Sequence, residues 1–244
     1  MPSYTIAENI LLAKNTWRMR LSGDTGSLQN PGQFVQFKVP DFYLRRPLSV
    51  CDWDDGSLTL IYKVVGHGTE AMARMQPGET ADLLTGLGNG FTVKPCKAML
   101  IGGGVGVPPL YRLCKDIIRR GIQPAVVLGF NTRAELFYAE EFQSLGADVT
   151  VTTVDGSCGI KGYVTHGAEA LPSAYNYVYT CGPEPMLKAV FKLCNDRGIS
   201  GQFSLEERMA CGFGACMGCS IQTASGPRRV CADGPVFAKE ELLW

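Results

Sequence analysis

The stretch Ala98-Met99-Leu100-Ile101-Gly102-Gly103-Gly104-Val105-Gly106-Val107-Pro108-Pro109-Leu110 decides the fold. Its four leading apolar residues read as a short buried strand, and the glycines after them as a turn whose backbone can approach a ligand closely. Val107, Leu110, Leu113, Ile117 and Ile118 then recur at helical spacing. Pro108 and Pro109 fall in that helix's first turn, where an amide hydrogen is not needed. Read from Gly102, the turn is not G-x-G-x-x-G, because Val107 occupies the last place. Gly104, Gly106 and Pro109 instead give G-x-G-x-x-P. A glycine turn between strand and helix suits a phosphate at the helix N-terminus, and it serves packing equally well.

Outward from this turn the chain alternates. Ala125–Phe130, Asp148–Val154 and Tyr175–Thr180 read as further buried strands, Glu184–Asp196 as a helix, and Gly201–Glu206 as a closing strand. Alternation of this kind predicts an open parallel α/β sheet. The preceding segment is different. Tyr4–Ala13, Thr16–Ser22, Gln33–Val39 and Ser57–Val65 are short runs rich in β-branched and aromatic residues, punctuated by Gly and Pro. They predict an antiparallel barrel or sandwich, interrupted by one helix over Thr69–Met75. The last forty or so residues hold too little apolar material for a core of their own and call for a staple such as a metal. The expected division is residues 1–94, 95–200 and 201–244, with no internal repeat.

Composition narrows the function classes. The 244 residues carry 23 basic and 23 acidic side chains, a net charge of zero. Nucleic acid and anionic membrane both demand a basic excess, so neither is expected as a partner. No apolar run is long enough to span a bilayer. Met1–Lys14 lacks a basic start followed by an apolar stretch, so no secretory signal is expected. Of ten cysteines, four fall between Cys211 and Cys231. A clustered quartet without a secretory signal points to a metal centre in a reducing, cytoplasmic compartment.

The quartet reads Cys211-x4-Cys216-x2-Cys219-x11-Cys231. Structural zinc favours two C-x2-C knuckles, and only one such pair is present. C-x4-C-x2-C is the plant-type [2Fe–2S] spacing, in which one loop supplies three thiolates and the fourth comes from elsewhere. Gly212, Gly214 and Gly218 let the loop close and aim amides at sulfur. Arg208, Arg228 and Arg229 are expected to offset the centre's negative charge. Zinc and unmetallated thiols are the alternatives. Cys51, Cys96, Cys114, Cys158 and Cys194 share no spacing and read as inert thiols; His67 and His166 read as ordinary polar residues.

Arg45-Arg46-Pro47-Leu48-Ser49 offers a guanidinium fork for phosphate and a hydroxyl for the edge of a flat heterocycle. Gly66-His67-Gly68-Thr69 opens a helix and is an anion site in waiting. Taken singly, Arg46 reads as well as a surface ion pair, and Gly68-Thr69 as a plain cap. Cys181-Gly182-Pro183-Glu184-Pro185-Met186 follows a strand and reads as either a ligand turn or a packing turn. Gly129–Arg133 carries no acidic residue for a ribose hydroxyl. Arg133 could meet a 2′-phosphate or start the next helix, so NAD and NADP both stay open.

In order, these motifs resemble the ferredoxin–NADP reductase superfamily. Arg46-Pro47-Leu48-Ser49 is similar to its Arg-x-Tyr-Ser flavin motif, with Leu48 in place of the tyrosine. Gly68-Thr69 matches its pyrophosphate motif, Gly104/Gly106/Pro109 its pyridine-nucleotide turn, and Cys181-Gly182-Pro183 with Met186 its C-G-P-x-x-M turn. The resemblance implies an FAD-binding barrel, with Ile61, Tyr62 and Lys63 on a strand lining the flavin, and Cys181 facing the nicotinamide. With Ser204–Gly212 leading into the quartet, the whole chain resembles the electron-transfer subunits of NAD-dependent type B dihydroorotate dehydrogenases. That implies a relay among NAD, FAD and a [2Fe–2S] centre, and a separate FMN-bearing catalytic subunit in a complex with two copies of each chain. Reductase subunits of a hydrogenase or a ferredoxin-linked transhydrogenase, or a zinc-stapled nucleotide-binding module, are the alternative readings. Phe213, Ala215 and Met217, between the cysteines, are expected to face outward toward the partner.

Overall fold

The computed structural model describes residues 3–172 and 174–244. Six strands form the first unit: β1 (Ser3–Ala13), β2 (Thr16–Ser22), β3 (Phe34–Lys38), β4 (Arg46–Asp54), β5 (Ser57–Lys63) and β6 (Thr80–Leu87). They close an antiparallel barrel in the order β1-β2-β5-β4-β3-β6. Alternation sets the inside: Met19 and Leu21 of β2, Val35 and Phe37 of β3, and Leu58, Leu60 and Tyr62 of β5 fill the barrel with almost no exposure. β4 and β6 were not among the expected strands. Pro47 argues locally against β4, yet it falls near the strand's start, opposite Gln36. Helix α1 (His67–Arg74) begins two residues before the expected start.

The second unit is built on β7 (Ala98–Gly103), helix α2 (Pro108–Arg119), β8 (Ala125–Phe130), α3 (Ala139–Ser144), β9 (Asp148–Thr153), β10 (Ile160–Lys161), α4 (Val164–Glu169), β11 (Tyr177–Cys181), α5 (Glu184–Arg197) and β12 (Ser200–Ser204). Its strands are parallel in the order β10-β9-β8-β7-β11-β12. β7 is buried throughout, as a strand covered on both faces must be. Leu187, Val190, Phe191 and Cys194 give α5 its buried stripe, and Gly198, at φ +63°, ends it in the left-handed conformation.

β13 (Ser220–Thr223) and β14 (Gly226–Arg229) make a hairpin after the cysteine loop. β15 (Val236–Ala238) then joins the large sheet as an antiparallel edge beside β12, so the sheet does not end at β12. The C-terminal segment therefore shares a core with the α/β unit: Cys219, Val230, Cys231 and Phe237 pack with Ile101, Leu187 and Phe203. Phe34 of the barrel joins the same cluster. Each such side chain, fully buried, contributes about 1.5–3 kcal/mol. Asn89, in the link between β6 and β7, clasps this segment: it accepts from Val236 N–H (3.1 Å) and donates to the carbonyls of Val236 (2.8 Å) and Asp233 (3.2 Å).

Ion pairs join barrel and α/β unit on the other side. Asp52 of β4 takes Lys115 (2.6 Å) and Arg112 (3.3 Å) of α2, and the Arg112 guanidinium lies 3.9 Å over the Trp53 ring. Lys63 of β5 meets Glu135 at 3.1 Å. No helix of the described residues is long and apolar enough to cross a membrane.

Candidate functional site

The sheet reverses its build order between β7 and β11, and ligands of open α/β sheets bind outside the strand ends at such a point. Two turns meet there. Gly106 lies so close to the main chain of Cys181 and Gly182 that no side chain could stand in its place. Met186 packs its thioether against Gly103 and Gly182, so it holds the two turns together. Gly104, at φ +52°, has open space around it, while Pro109 is buried in the first turn of α2.

These turns form one wall of a cleft of about 490 Å³. Pro47, Leu48 and Ser49 of β4 form the wall opposite, with Phe34 of β3, and Ser204–Met209 closes the end. The expected flavin and nucleotide motifs thus face one space. Cys181 reaches that space, and burial pushes its thiol up to about 12, against a smaller downward pull from Ser204. The group is a neutral thiol at physiological pH. Glu206 also lines the cleft, with its carboxyl raised above the usual range by burial and by Glu207. Sequence reasoning assigned no role to Glu206, and no local pattern marks it.

Arg46 lies beside this cleft at the mouth of α1. Its guanidinium rests on Gly68, where a Cβ would overlap it, and Nη1 donates to the Leu44 carbonyl at 2.6 Å. A cation and the free amides of a helix N-terminus therefore share one spot. The Thr69 hydroxyl is already used: it accepts from Val65 N–H (3.0 Å) and Gly66 N–H (3.3 Å) and donates to the Gly66 carbonyl (3.0 Å). Thr69 thus holds the turn and leaves main-chain groups for a ligand. The side chains of Ile61, Tyr62 and Lys63 lie away from the cleft. Ile61 packs toward α2, the Tyr62 hydroxyl donates to Asn9 at 2.9 Å inside the barrel, and Lys63 pairs with Glu135. Arg133 is exposed in a turn, its N–H donating to Ser157 at 2.8 Å.

The cysteines fall into two pairs. Cys211 neighbours Cys216 and Cys219 neighbours Cys231, and the Cys231 amide donates to Cys219 Sγ at 3.4 Å. Burial raises the Cys211 thiol, but the amides of Cys216, Phe213 and Ala215 outweigh it and hold the group down to about 6. Burial, with the neighbouring Cys219, pushes Cys231 up to about 12. Four cysteines, with main-chain amides donating at Cys211 and Cys219, suit the sulfur-rich ligand set of an iron–sulfur centre.

Of the three arginines expected to offset charge at the centre, Arg229 faces Cys219 and Cys231. Arg229 is paired with Asp233 (3.1 Å) and donates to the Gly214 carbonyl (2.9 Å), so it fixes the loop to β14 with its charge already met. Arg208 lines the cleft, and Arg228 bonds Ser225. Phe213 and Met217 are 61% and 55% exposed, as expected for outward-facing residues, and Met217 takes the left-handed φ of +60°.

Comparisons with known proteins agree with this geometry. Residues 206–243 match the family described as the iron–sulfur cluster binding domain of dihydroorotate dehydrogenase B, and residues 100–192 match the oxidoreductase NAD-binding domain. The electron transfer subunit of dihydroorotate dehydrogenase B (NAD(+)) from Bacillus caldolyticus is 44% identical, over 98% of this chain and 97% of its own length. The subunit of that name from Fusobacterium nucleatum is 42% identical, over 98% and 96%. A solved NADH-dependent reduced ferredoxin–NADP oxidoreductase superposes with a TM-score of 0.91 at 29% identity, covering 99% of this chain and 90% of the other. Phthalate dioxygenase reductase shares the fold at a TM-score of 0.63 and 19% identity, over 79% and 64%. With relatives this similar along nearly the whole chain, the protein belongs to the family of NAD(+)-dependent dihydroorotate dehydrogenase B electron transfer subunits.

Proposed function

We propose that this chain carries electrons between NAD(H) and an FMN-bearing dihydroorotate dehydrogenase subunit, in a complex with two copies of each chain. The observation that carries this reading is the single cleft in which Pro47–Ser49 face Gly103, Gly106 and Cys181. FAD, when bound, takes two electrons as hydride and gives them up singly, and a [2Fe–2S] centre takes one at a time. Arg46 and the α1 N-terminus hold the flavin's pyrophosphate, the Ser49 hydroxyl holds the ring edge, and the main chain of Ile61–Lys63 lines the flavin. The turns at Gly104–Pro109 and Cys181–Met186 hold the dinucleotide. Cys181, a neutral thiol on the cleft lining, would stand beside the nicotinamide ring.

Cys211, Cys216, Cys219 and Cys231 hold the iron–sulfur centre. β3 joins the two sites: Phe34 lines the cleft, and Gln36, on the same face, touches the cysteine loop at Gly212. Two residues along a strand span roughly 7 Å. The exposed Phe213 and Met217 mark where the catalytic partner docks, because exposed apolar groups beside an electron exit favour an interface. Substrate chemistry belongs to the partner on this reading, which the name electron transfer subunit of the 44% and 42% identical relatives supports.

An anaerobic spectrum with iron and flavin analysis tests the cofactor set. The expected result is about one FAD and two irons per chain, with both chromophores bleached by NADH. A colourless, zinc-loaded protein would contradict it. The 0.91 TM-score to the ferredoxin–NADP oxidoreductase supports a second reading, a reductase subunit of another complex. Co-purification decides between them through the partner recovered.

A further inference from the structure

Gln36 is fully buried, and among the described residues neither its Nε2 nor its Oε1 has a hydrogen-bond partner. A buried amide with both ends unmet is unfavourable, and native proteins rarely retain one without a reason. Alternation along β3 sends Val35 and Phe37 into the barrel and Phe34 and Gln36 outward. An apolar residue would serve at an outward position that the C-terminal segment covers, yet an amide stands there.

What covers it is the cysteine loop. Gly212, directly after Cys211, has φ +80°, and a Cβ there would lie 2.6 Å from both Gln36 Nε2 and Cγ. Among the described residues no side chain hydrogen-bonds the amide. Its ladder partners across the strands are Pro47 and Leu84, and Arg45 is bound to the main-chain carbonyl of Gln36 and to Asp82. The chemistry that this loop gathers is anionic sulfur, which accepts N–H and carries no donor of its own.

We propose that the side-chain amide of Gln36 donates a hydrogen bond to sulfur of the iron–sulfur centre and so raises that centre's midpoint potential. This rests on the reading that Cys211, Cys216, Cys219 and Cys231 hold a [2Fe–2S] group. Reduction adds negative charge to the sulfurs, so a donor favours the reduced form more than the oxidised one. Gln36 is therefore a positioning and tuning residue, and it ties the barrel strand that borders the flavin cleft to the loop that receives the electron.

The test uses the full chain in complex with its catalytic partner, with side-chain ¹⁵N-glutamine incorporated. In the reduced protein, pulsed electron paramagnetic resonance should show a ¹⁵N coupling to the cluster that is absent in Gln36→Leu. Redox titration of Gln36→Leu should move the cluster potential to more negative values and leave the FAD potential in place. Gln36→Met, which retains the unbranched shape, should give the same shift and serves if the leucine variant folds poorly. An intact cluster whose potential and ¹⁵N coupling are unchanged in both variants would overturn the proposal and leave the function standing. Absence of any iron–sulfur signal from the unmodified protein would overturn the underlying reading instead.

Discussion

The guanidinium of Arg46 rests on Gly68, at the first turn of α1, with so little clearance that a methyl group there would overlap it. β4 and the first turn of α1 are thereby joined at one point, 22 positions apart in the chain. Losing a charge-assisted hydrogen bond costs about 1.5–3 kcal/mol. Arg46→Ala should therefore weaken FAD binding by roughly one to two orders of magnitude. Gly68→Ala should weaken it in the same direction by displacing the guanidinium, with the fold retained. Flavin fluorescence titration reads both. An unchanged dissociation constant in Arg46→Ala would remove that residue from the pyrophosphate site.

Cys181 should behave as a thiol throughout the working pH range. Its pKa is raised from 9.0 to about 12, chiefly by burial. At pH 8 its thiolate fraction is then roughly a thousandfold below that of an ordinary cysteine, and alkylation should slow accordingly. The sign for stability follows: the neutral form is favoured in the folded state, so this contribution is complete below pH 9 and lost as pH rises toward 12. Cys181→Ala should slow single-turnover reduction of FAD by NADH while FAD content stays near normal. An unaltered rate would make Cys181 a packing residue.

Cysteine replacements should separate by burial. Cys219 and Cys231 are 2% exposed and belong to the core shared with the α/β unit. Alanine at either should lose the iron and lower the melting temperature. Cys216 is exposed, so Cys216→Ala should lose or degrade the cluster with a smaller loss of stability. FAD should be retained in all three. Iron analysis beside calorimetry checks this, and full iron content in Cys219→Ala would exclude it as a ligand.

Asn89→Ala removes the clasp on residues 233–236 and leaves the Val236 N–H without its side-chain acceptor. The expected cost is about 1–3 kcal/mol, read as roughly 2–4 °C of melting temperature per kcal/mol for a chain of this size. Iron should also be lost faster on dilution, because the segment carrying the cysteines loosens. A melting temperature and iron-loss rate equal to the unmodified protein would contradict the clasp.

Much of this architecture was legible locally. β7, its glycine turn and α2 follow from an apolar run, a conformational requirement and a helical period lying next to one another. Pro47–Ser49 and Gly106, singled out in the sequence, line the cleft, and the cysteine spacing named its own chemistry. What stayed hidden depends on distant pairings. β6 carries Ala81, Asp82 and Gly86 and has weak strand character; closing the barrel against β1 and β3 makes it a strand. β15 is three residues long and exists because β12 offers an edge. α4 holds Gly167 in its middle, poor for a helix, yet a Cβ there would press on Val127 and Thr152. Gln36 looks like any surface polar residue until the cysteine loop folds over it.

The most direct measurement is dihydroorotate-dependent reduction of NAD, assayed with this chain alone, with the catalytic dihydroorotate dehydrogenase subunit alone and with both. The chain alone should oxidise NADH with artificial acceptors and show no dihydroorotate turnover. Combining the two should produce the activity, and changing Phe213 or Met217 to a charged residue should reduce it while the cluster spectrum stays intact. Dihydroorotate turnover by the isolated chain, or failure of the two subunits to associate, would contradict the account.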